Sequence, residues 1–506
     1  MMPRGQVQTA GPGAMIGPNA VAGAIDTHVW GEVLSGLAKS QFSRIRLMQF
    51  SVMTRDHQET ALAVLGLAAA ILCGVLGGQR YATEFYAIRG PLLPALIAVG
   101  AGLAWAFRPR SAGPGGNPPP SPNGRLRFAT FAAALLSLAV TTGVEAQFQS
   151  LRQRVLDAPA ADLARVGRHV IVGIDDVAET RDLVDKGAVA GLFFTGRNVK
   201  RRSIAVLRDE IAMLQELQSQ HMAPRLWVAA DQEGGAVEQL SPPLPRQPSL
   251  ARILRDASDA PAREAAVRAY ATAQARALVS IGVNVNFAPV VDVDFNLRAR
   301  SDGNTHITSR TISSDAALVA RVALWYCDAL FAEGVRCTRK HFPGLGRVSG
   351  DTHTREATLG ASLEKLAASD WLPFDARVYE AAGHRDWIML GHARLDALDP
   401  FRPAFASPAV VAKLRGDLAH DGVLVTDDFS MGAIRQSHLR VAGAAVEAVN
   451  AGIDLILVSY DTDQVYIVLD ALLNADAEGR LDAEKLRLSD ERLRRSAEAS
   501  FQARGQ

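Results

Sequence analysis

The 506-residue chain has little cysteine, almost no net charge and none of the glycine patterns that cradle phosphates. Three cysteines are too few for a disulfide framework. Cys73 lies in an apolar run, and Cys327 and Cys337 flank a helix-to-strand connection. A free cysteine packs as a small hydrophobe, so buried thiols are expected at Cys327 and Cys337. There is no CxxC and no His/Cys cluster with ligand spacing, so no metal and no other cofactor is expected. The GxGxxG and GxxxxGK[ST] fingerprints are absent too, which leaves no sequence argument for a nucleotide site. A formal charge of +1 gives no argument for nucleic acid or for an acidic surface partner.

What the N-terminal third does contain is uninterrupted apolar sequence. After a mixed, Gly/Ala-rich segment (1–59, expected to be flexible) come Ala61–Gly78, Gly90–Phe107 and Phe128–Val144. Each is at the short end of what crosses a hydrocarbon core, and none has a polar face. The region 60–146 therefore reads as up to three transmembrane helices. Between the second and third runs, Gly113-Pro-Gly-Gly-Asn-Pro-Pro-Pro-Ser-Pro marks an unstructured loop. Arg44, Arg46 and Arg55 precede the first run, and Arg108, Arg110, Arg125 and Arg127 fill the second loop. Only Arg80 and Arg89 fall between runs one and two. Positive charge marks the cytoplasmic side, so an odd number of spans puts the C-terminal domain outside, on the periplasmic or extracellular face. An alternative reading takes Arg125–Gln147, ending in Val144-Glu145-Ala146, as a signal peptide cleaved after Ala146. The domain would then be secreted.

From about residue 155 to 502 the pattern changes to eight short β-rich runs separated by helical stretches. The runs are His169–Ile174, Gly191–Thr195, Arg225–Asp231, Val283–Pro289, Val335–His341, Trp387–His392, Gly422–Asp428 and Asp454–Tyr460. Helical stretches include Pro261–Ile281, Ser314–Gly334 and Arg440–Ala451. Alternation of this kind implies a parallel sheet in an α/β fold. Eight units imply a (β/α)8 TIM-type barrel, with an open doubly wound sheet as the alternative. Active sites of such barrels gather at the C-terminal strand ends. Asp231, Lys340, His341, His392, Asp427 and Asp428 all occur there.

The segment Lys340–His353, KHFPGLGRVSGDTH, carries the strongest local signal. Two glycines and a proline force an irregular backbone after Lys340-His341. At its end Asp351 precedes His353 by two residues; in an extended loop the two side chains point the same way. Such a carboxylate would fix the tautomer of His353 and suit it to proton transfer near neutral pH. The bland alternative is a surface loop in which Asp351 caps a turn. Asp427, ending an apolar strand, suits a nucleophile kept ionised by nearby backbone donors. Asp428 caps the next helix or orients its neighbour. Asp231, in Asp-Gln-Glu-Gly-Gly, suits sugar hydroxyls, as do the donors Arg310, Lys340 and His341.

These motifs occur in one order: Asp231-Gln-Glu-Gly-Gly, Asn286-Phe-Ala-Pro-Val-Val-Asp292, Lys340-His-Phe-Pro-Gly-Leu-Gly and Asp351-Thr-His353, then Gly391-His392, Ser407-Pro408, Thr426-Asp-Asp-Phe-Ser-Met431 and Ala451-Gly-Ile-Asp-Leu455. From about 160 to 500 the chain resembles glycoside hydrolase family 3, and within it the bacterial β-N-acetylglucosaminidases that trim cell-wall fragments. The resemblance implies a retaining exo-β-N-acetylhexosaminidase acting on peptidoglycan fragments or related oligosaccharides. It implies Asp427 as nucleophile, His353 assisted by Asp351 as acid/base, and Asp231, Arg310, Lys340, His341 and His392 around the non-reducing sugar. Three positions depart from the family pattern: Ala236 and Gln239 replace arginines, and Leu345 replaces a histidine. An insert at Arg298–His306 precedes Arg310. The alternatives are a family 3 β-glycosidase for another sugar such as glucose, and a non-catalytic membrane-anchored glycan sensor. Glucosidases of that kind carry a second α/β domain supplying a glutamate acid, for which the chain has no room before Gln506.

Overall fold

The computed structural model describes residues 54–80, 82, 85–109, 122–220, 224–295, 305–348, 350–379 and 386–504. The expected flexible segment up to residue 53, including Arg44 and Arg46, lies outside the described residues, as do Arg110 and most of the insert before Arg310. The chain divides into units 1–62 and 63–506; of the first, only the opening of one helix is described.

Three helices precede the domain: α1 (Arg55–Gly78), α2 (Tyr86–Phe107) and α3 (Pro122–Leu156). All three are long and apolar enough to cross a membrane. α1 meets α3 through small residues. A Cβ on Gly74 would stand 3.3 Å from the Cα of Ser137, and one on Gly77 would collide with the side chain of Thr141. Ala70, Ala104 and Ala134 are packed together between the three helices. Small residues let helix backbones approach closely where apolar packing alone gives no drive to associate, as in lipid. The outward faces keep large apolar side chains, among them Leu65, Leu72, Trp105 and Leu136.

All eight β-rich runs form strands: β1 (Val170–Gly173), β2 (Gly191–Phe194), β3 (Trp227–Ala230), β4 (Val285–Asn286), β5 (Arg336–Phe342), β6 (Trp387–Leu390), β7 (Leu424–Thr426) and β8 (Ile456–Val458). Every neighbouring pair is parallel, and β8 lies beside β1. Closure comes from a parallel bridge between Val425 of β7 and Leu455, just before β8. The Thr426 amide donates to the Leu455 carbonyl, and the Leu455 amide donates back to Leu424, each at 3.0 Å. The sheet is thus barrel-like rather than open. Alternate residues split between two cores, because strand side chains alternate in direction. Ile171, Phe193, Ala229, Met389, Val425 and Leu457 fill the interior, with the Trp227 and Trp387 rings edge to face at 4.9 Å. Val170, Leu192, Val228, Leu424 and Ile456 face the surrounding helices. Both faces are covered, which explains the near-continuous apolar runs.

The three helical stretches named from the sequence form helices within two residues of their expected bounds, and further helices complete the layer. α4 (Val177–Asp185) is capped by Asp176, α5 is Ile204–Gln220, and α6 (Ala260–Ser280) is capped by Asp259 with proline in its first turn. α7 is Ala316–Ala332, and α8 (Pro408–Arg415) begins after Ser407, which accepts from the Val410 amide. α9 (Gly432–Gln436) and α10 (Arg440–Ala451) link β7 to β8, and α11 (Gln464–Ala477) and α12 (Ala483–Arg504) complete the chain. α12 covers the N-terminal end of the barrel. Its Ser496 accepts from the Trp387 indole at 3.0 Å, and Leu493 and Ala497 pack onto the interior residues.

The expectation of free thiols at Cys327 and Cys337 is corrected. The two are joined in a disulfide across a Cα separation of 5.3 Å. The physical reason is the tight return from α7 into β5, which lays the strand against the helix that precedes it and brings the pair within bridging range. Bonded sulfurs also take both residues out of the cation-ligand grouping they form with Asp386. Closing a ten-residue loop is worth about 2–3 kcal/mol. Cys337→Ser is expected to lose that amount in denaturant titration while wild-type protein shows no titratable thiol at either position. An unreacted Cys327 thiol in native protein would contradict the bridge.

Candidate functional site

The polar residues picked out at strand ends converge on the C-terminal rim. Asp231 follows β3, Lys340 and His341 end β5, His392 lies two residues beyond β6, and Asp427 follows β7. Lys340 is buried and its ammonium is 2.5 Å from Asp231 and 2.6 Å from Glu233. Glu233 also takes two bonds from the Arg310 guanidinium, at 2.9 and 2.7 Å. Two cations and two carboxylates therefore form one buried network, in which Asp231 is the most accessible member at 27%. Burial would raise the Glu233 carboxyl, but Arg310 and Lys340 outweigh it and hold the group down at about 2. Asp231 moves the other way, because its burial and the neighbouring Glu233 exceed the pull of Lys340. Burial would lower Lys340, and the two carboxylates reverse that, so it stays charged.

The loop that carries Asp231 is shaped by its backbone. Asn286 at the end of β4 accepts from the Gln232 amide at 3.0 Å and donates to the Gln232 carbonyl at 2.9 Å. Gly234 has φ +88°, and a Cβ there would run into the Tyr270 hydroxyl; glycine meets both demands. Tyr270 donates to the Glu233 carbonyl at 3.1 Å.

Asp292 organises the other side. It accepts from His341 Nδ1 at 2.7 Å, from the His341 amide at 3.2 Å and from the Leu345 amide at 2.6 Å. A carboxylate only accepts, so Nδ1 of His341 carries the proton. His392 donates Nε2–H to the Asp428 carbonyl at 2.9 Å. Its buried Nδ1 has no hydrogen-bond partner among the described residues. Burial pushes the His392 imidazole below its ordinary value, and nearby Asp427 only partly offsets this.

Asp427 receives the Asp428 amide on Oδ1 at 2.8 Å. Burial would raise its carboxyl, but His341, His392 and His353, with that amide, hold it below the ordinary carboxylate range. Asp428 accepts from the Ser430 amide at 3.0 Å and the Ser459 amide at 2.8 Å, which fixes the turn after β7.

The Asp351–His353 segment is turned rather than extended. Asp351 accepts the His353 amide at 3.0 Å and the Thr305 hydroxyl at 2.9 Å, and His353 Nδ1 lies 3.3 Å from the same carboxylate. Turn capping and imidazole orientation thus occur together. His353 is 39% exposed, more open than Asp231 at 27%. The loop is fastened to the start of α9, where the Gly432 amide donates to the His353 carbonyl at 2.7 Å and the Ala433 amide to Thr352 at 3.2 Å. Gly432 comes five residues after Asp427, so this contact brings the imidazole loop to the strand end that carries the carboxylate.

Two residues of this arrangement, Glu233 and Asp292, were quoted within motifs but given no role in the sequence reading. Both gain their roles from distant partners, Glu233 from Lys340 and Arg310 and Asp292 from His341. Of the departures, Gln239 accepts from the Gly196 amide at 2.8 Å, Leu345 is buried, and Ala236 is exposed.

The family described as "Glycosyl hydrolase family 3 N terminal domain" matches residues 155–496. The chain belongs to glycosyl hydrolase family 3. It is a glycoside hydrolase. It is 33% identical over 293 residues to a β-hexosaminidase of Xanthomonas oryzae pv. oryzae, covering 57% of this chain and 82% of that protein. A β-hexosaminidase of Idiomarina loihiensis is 30% identical over 309 residues, covering 60% and 87%. Among solved structures, a family 3 β-N-acetylglucosaminidase from Paenibacillus sp. superposes with a TM-score of 0.60 at 30% identity, covering 67% of this chain and 62% of that one. A family 3 member from Mycobacterium smegmatis gives 0.58 at 32% identity, covering 68% and 98%.

Replacing Glu233 by glutamine strands Lys340 and Arg310 beside a neutral group. That costs about 3–5 kcal/mol, read as a lower denaturant midpoint at pH 7. Because the folded value of Glu233 is depressed, its stabilisation is complete above the ordinary 4.5 and is lost as pH falls toward 2. The gap between Glu233→Gln and wild type should therefore narrow across that window; a constant gap would refute the assignment.

Proposed function

We propose that the protein is a membrane-anchored, retaining exo-β-N-acetylhexosaminidase that releases terminal β-linked GlcNAc from peptidoglycan fragments or related oligosaccharides. The observation that carries the reading is the approach of two unlike groups across one rim: an ionised Asp427 carboxylate, and an exposed imidazole whose Nδ1 is held by Asp351. Holding Nδ1 leaves Nε2 of His353 as the proton-transfer atom. In the first step Nε2–H protonates the glycosidic oxygen as the Asp427 carboxylate attacks the anomeric carbon, breaking the bond to the aglycone. In the second step neutral Nε2 takes a proton from water, and that water opens the glycosyl ester and restores both groups. This replaces the usual second carboxylate with an imidazole. A neutral imidazole places no second anion beside the N-acetyl carbonyl.

Asp231 and His341, with Lys340 and Arg310 behind them, are suited to hold the hydroxyls of the non-reducing sugar. His392 offers Nδ1 as an acceptor. The named activity of the relatives supports the N-acetylhexosamine preference, and Ala236, Gln239 and Leu345 bear on what lies beyond that sugar. Substrate enters from the rim, since α12 covers the other end.

Export of the domain is supported by two observations. Arg80 and Arg89, the two cations between runs one and two, pair with Asp463 and Asp461 of the barrel, so that short segment and the domain share one side of the membrane. A disulfide at Cys327–Cys337 suits an oxidising compartment. Val144–Ala146 lies inside the continuous helix α3, where cleavage after Ala146 would instead release the domain.

The test is hydrolysis of aryl β-GlcNAc and aryl β-glucoside by the purified chain. Preferential GlcNAc release is expected. Asp427→Asn should abolish it, and His353→Ala should lower kcat about 10²–10⁴-fold for poor leaving groups. Preference for glucoside would favour another family 3 glycosidase; cleavage of neither would favour a glycan sensor.

A further inference from the structure

α3 is one unbroken helix of 35 residues, and its two ends are in different surroundings. Its last turns lie along α11. The Phe148 ring meets Tyr466 at 6.2 Å, and Arg152 lies over the same Tyr466 ring. Further on, Arg154 pairs with Asp470, and Arg165, just past the helix, pairs with Asp476. Rising numbers on one helix thus meet rising numbers on the other, so the two run in the same direction. α11 begins directly after β8, at the rim that carries Asp427, and ends at the opposite end of the barrel. Residue 145 of α3 is consequently level with the rim, and everything before it projects beyond. From Asn123 to Glu145 that is about 33 Å of helix, close to one hydrocarbon thickness.

The hairpin between α1 and α2 reaches the same rim. Arg80 pairs with Asp463 at 2.8 Å and with Glu145 at 2.6 Å, Arg89 pairs with Asp461 at 2.8 Å, and the Tyr86 hydroxyl donates to Asp175 at 2.8 Å. Asp461 and Asp463 follow β8, and Asp175 follows β1. All three helices therefore leave from the catalytic end of the barrel. The junction is also tied to the site, since the Asp461 amide donates to Ser430 and the Ser459 amide to Asp428, both in the turn after Asp427.

We infer that the catalytic mouth faces the bilayer surface, and that the substrate class is an amphiphilic glycan held at that surface by a lipid and capped with a β-linked N-acetylhexosamine. This rests on the membrane-anchored hydrolase reading above. With α12 across the far end, every substrate passes between rim and headgroups. A glycan anchored in the same leaflet gains the effective concentration of a tethered partner.

The test uses the full chain in liposomes. A fluorophore is attached at Lys200→Cys or at Lys186→Cys in a Cys73→Ala background. Both lysines are exposed, the first beyond the C-terminal end of β2 and the second before its start. Headgroup-linked quencher is expected to quench the label at 200 several-fold more than the label at 186. Equal or reversed quenching overturns the orientation. In parallel, a GlcNAc-capped lipid is placed in the same vesicles or in separate ones. At least tenfold faster release in shared vesicles is expected; equal rates, with soluble aryl β-GlcNAc cleaved normally, overturn the substrate class alone. Cleavage of neither lipid nor aryl substrate would instead mean that the hydrolase reading has failed, and the substrate class with it.

Discussion

Two backbone hydrogen bonds, from the Gly432 amide to the His353 carbonyl and from the Ala433 amide to the Thr352 carbonyl, hold the arrangement on which the proposed chemistry depends. The imidazole loop leaves the barrel after β5, and the carboxylate stands at the end of β7, with β6 between them. Nothing in the sheet itself brings them together. Gly432 allows it because a Cβ at that position would stand 2.7 Å from the His353 carbonyl oxygen and 2.5 Å from that of Thr354. The glycine is thus a requirement of close approach between two loops, set by the sum of van der Waals radii rather than by backbone dihedral freedom.

Around that contact the site divides its charges by function. Lys340, Arg310, Asp231 and Glu233 neutralise one another in a closed set, which makes a rigid polar wall whose charges are already paired. Asp427 is kept ionised chiefly by imidazoles and one amide instead. A strong ion pair there would hinder the attack proposed for Asp427; histidines favour its charge while leaving it open. The two halves share a rim, yet their electrostatics run on separate partners.

Much of this was readable in advance because the barrel is made by local rules. Alternating strands with both faces covered yield apolar runs that are hard to mistake, and the stretches Pro261–Ile281, Ser314–Gly334 and Arg440–Ala451 between them have helical length and composition. Closure was not readable, since it depends on Val425 meeting Leu455 across thirty residues of chain. Glu233 escaped for a similar reason: its value comes from Arg310, 77 positions away. Cys327 and Cys337 were misjudged because a count of cysteines says nothing about how tightly α7 returns into β5. Arg80 and Arg89 entered the sequence reading as a weak topological charge signal. Their partners, Asp461 and Asp463, are hundreds of residues distant, and only the folded chain reveals that the two arginines clamp the helical hairpin to the barrel.

In the proposed mechanism Asp427 forms a bond to the sugar. The most direct measurement is peptide mass mapping after incubation with a fluorinated GlcNAc donor that accumulates the glycosyl-enzyme. A single added fluoro-N-acetylhexosaminyl mass on the peptide bearing Asp427 is expected, lost again when water or an acceptor alcohol is allowed to turn the enzyme over. Attachment at Asp231 or Asp351, or steady turnover of an unfluorinated substrate with inverted anomeric configuration and no adduct, would contradict it.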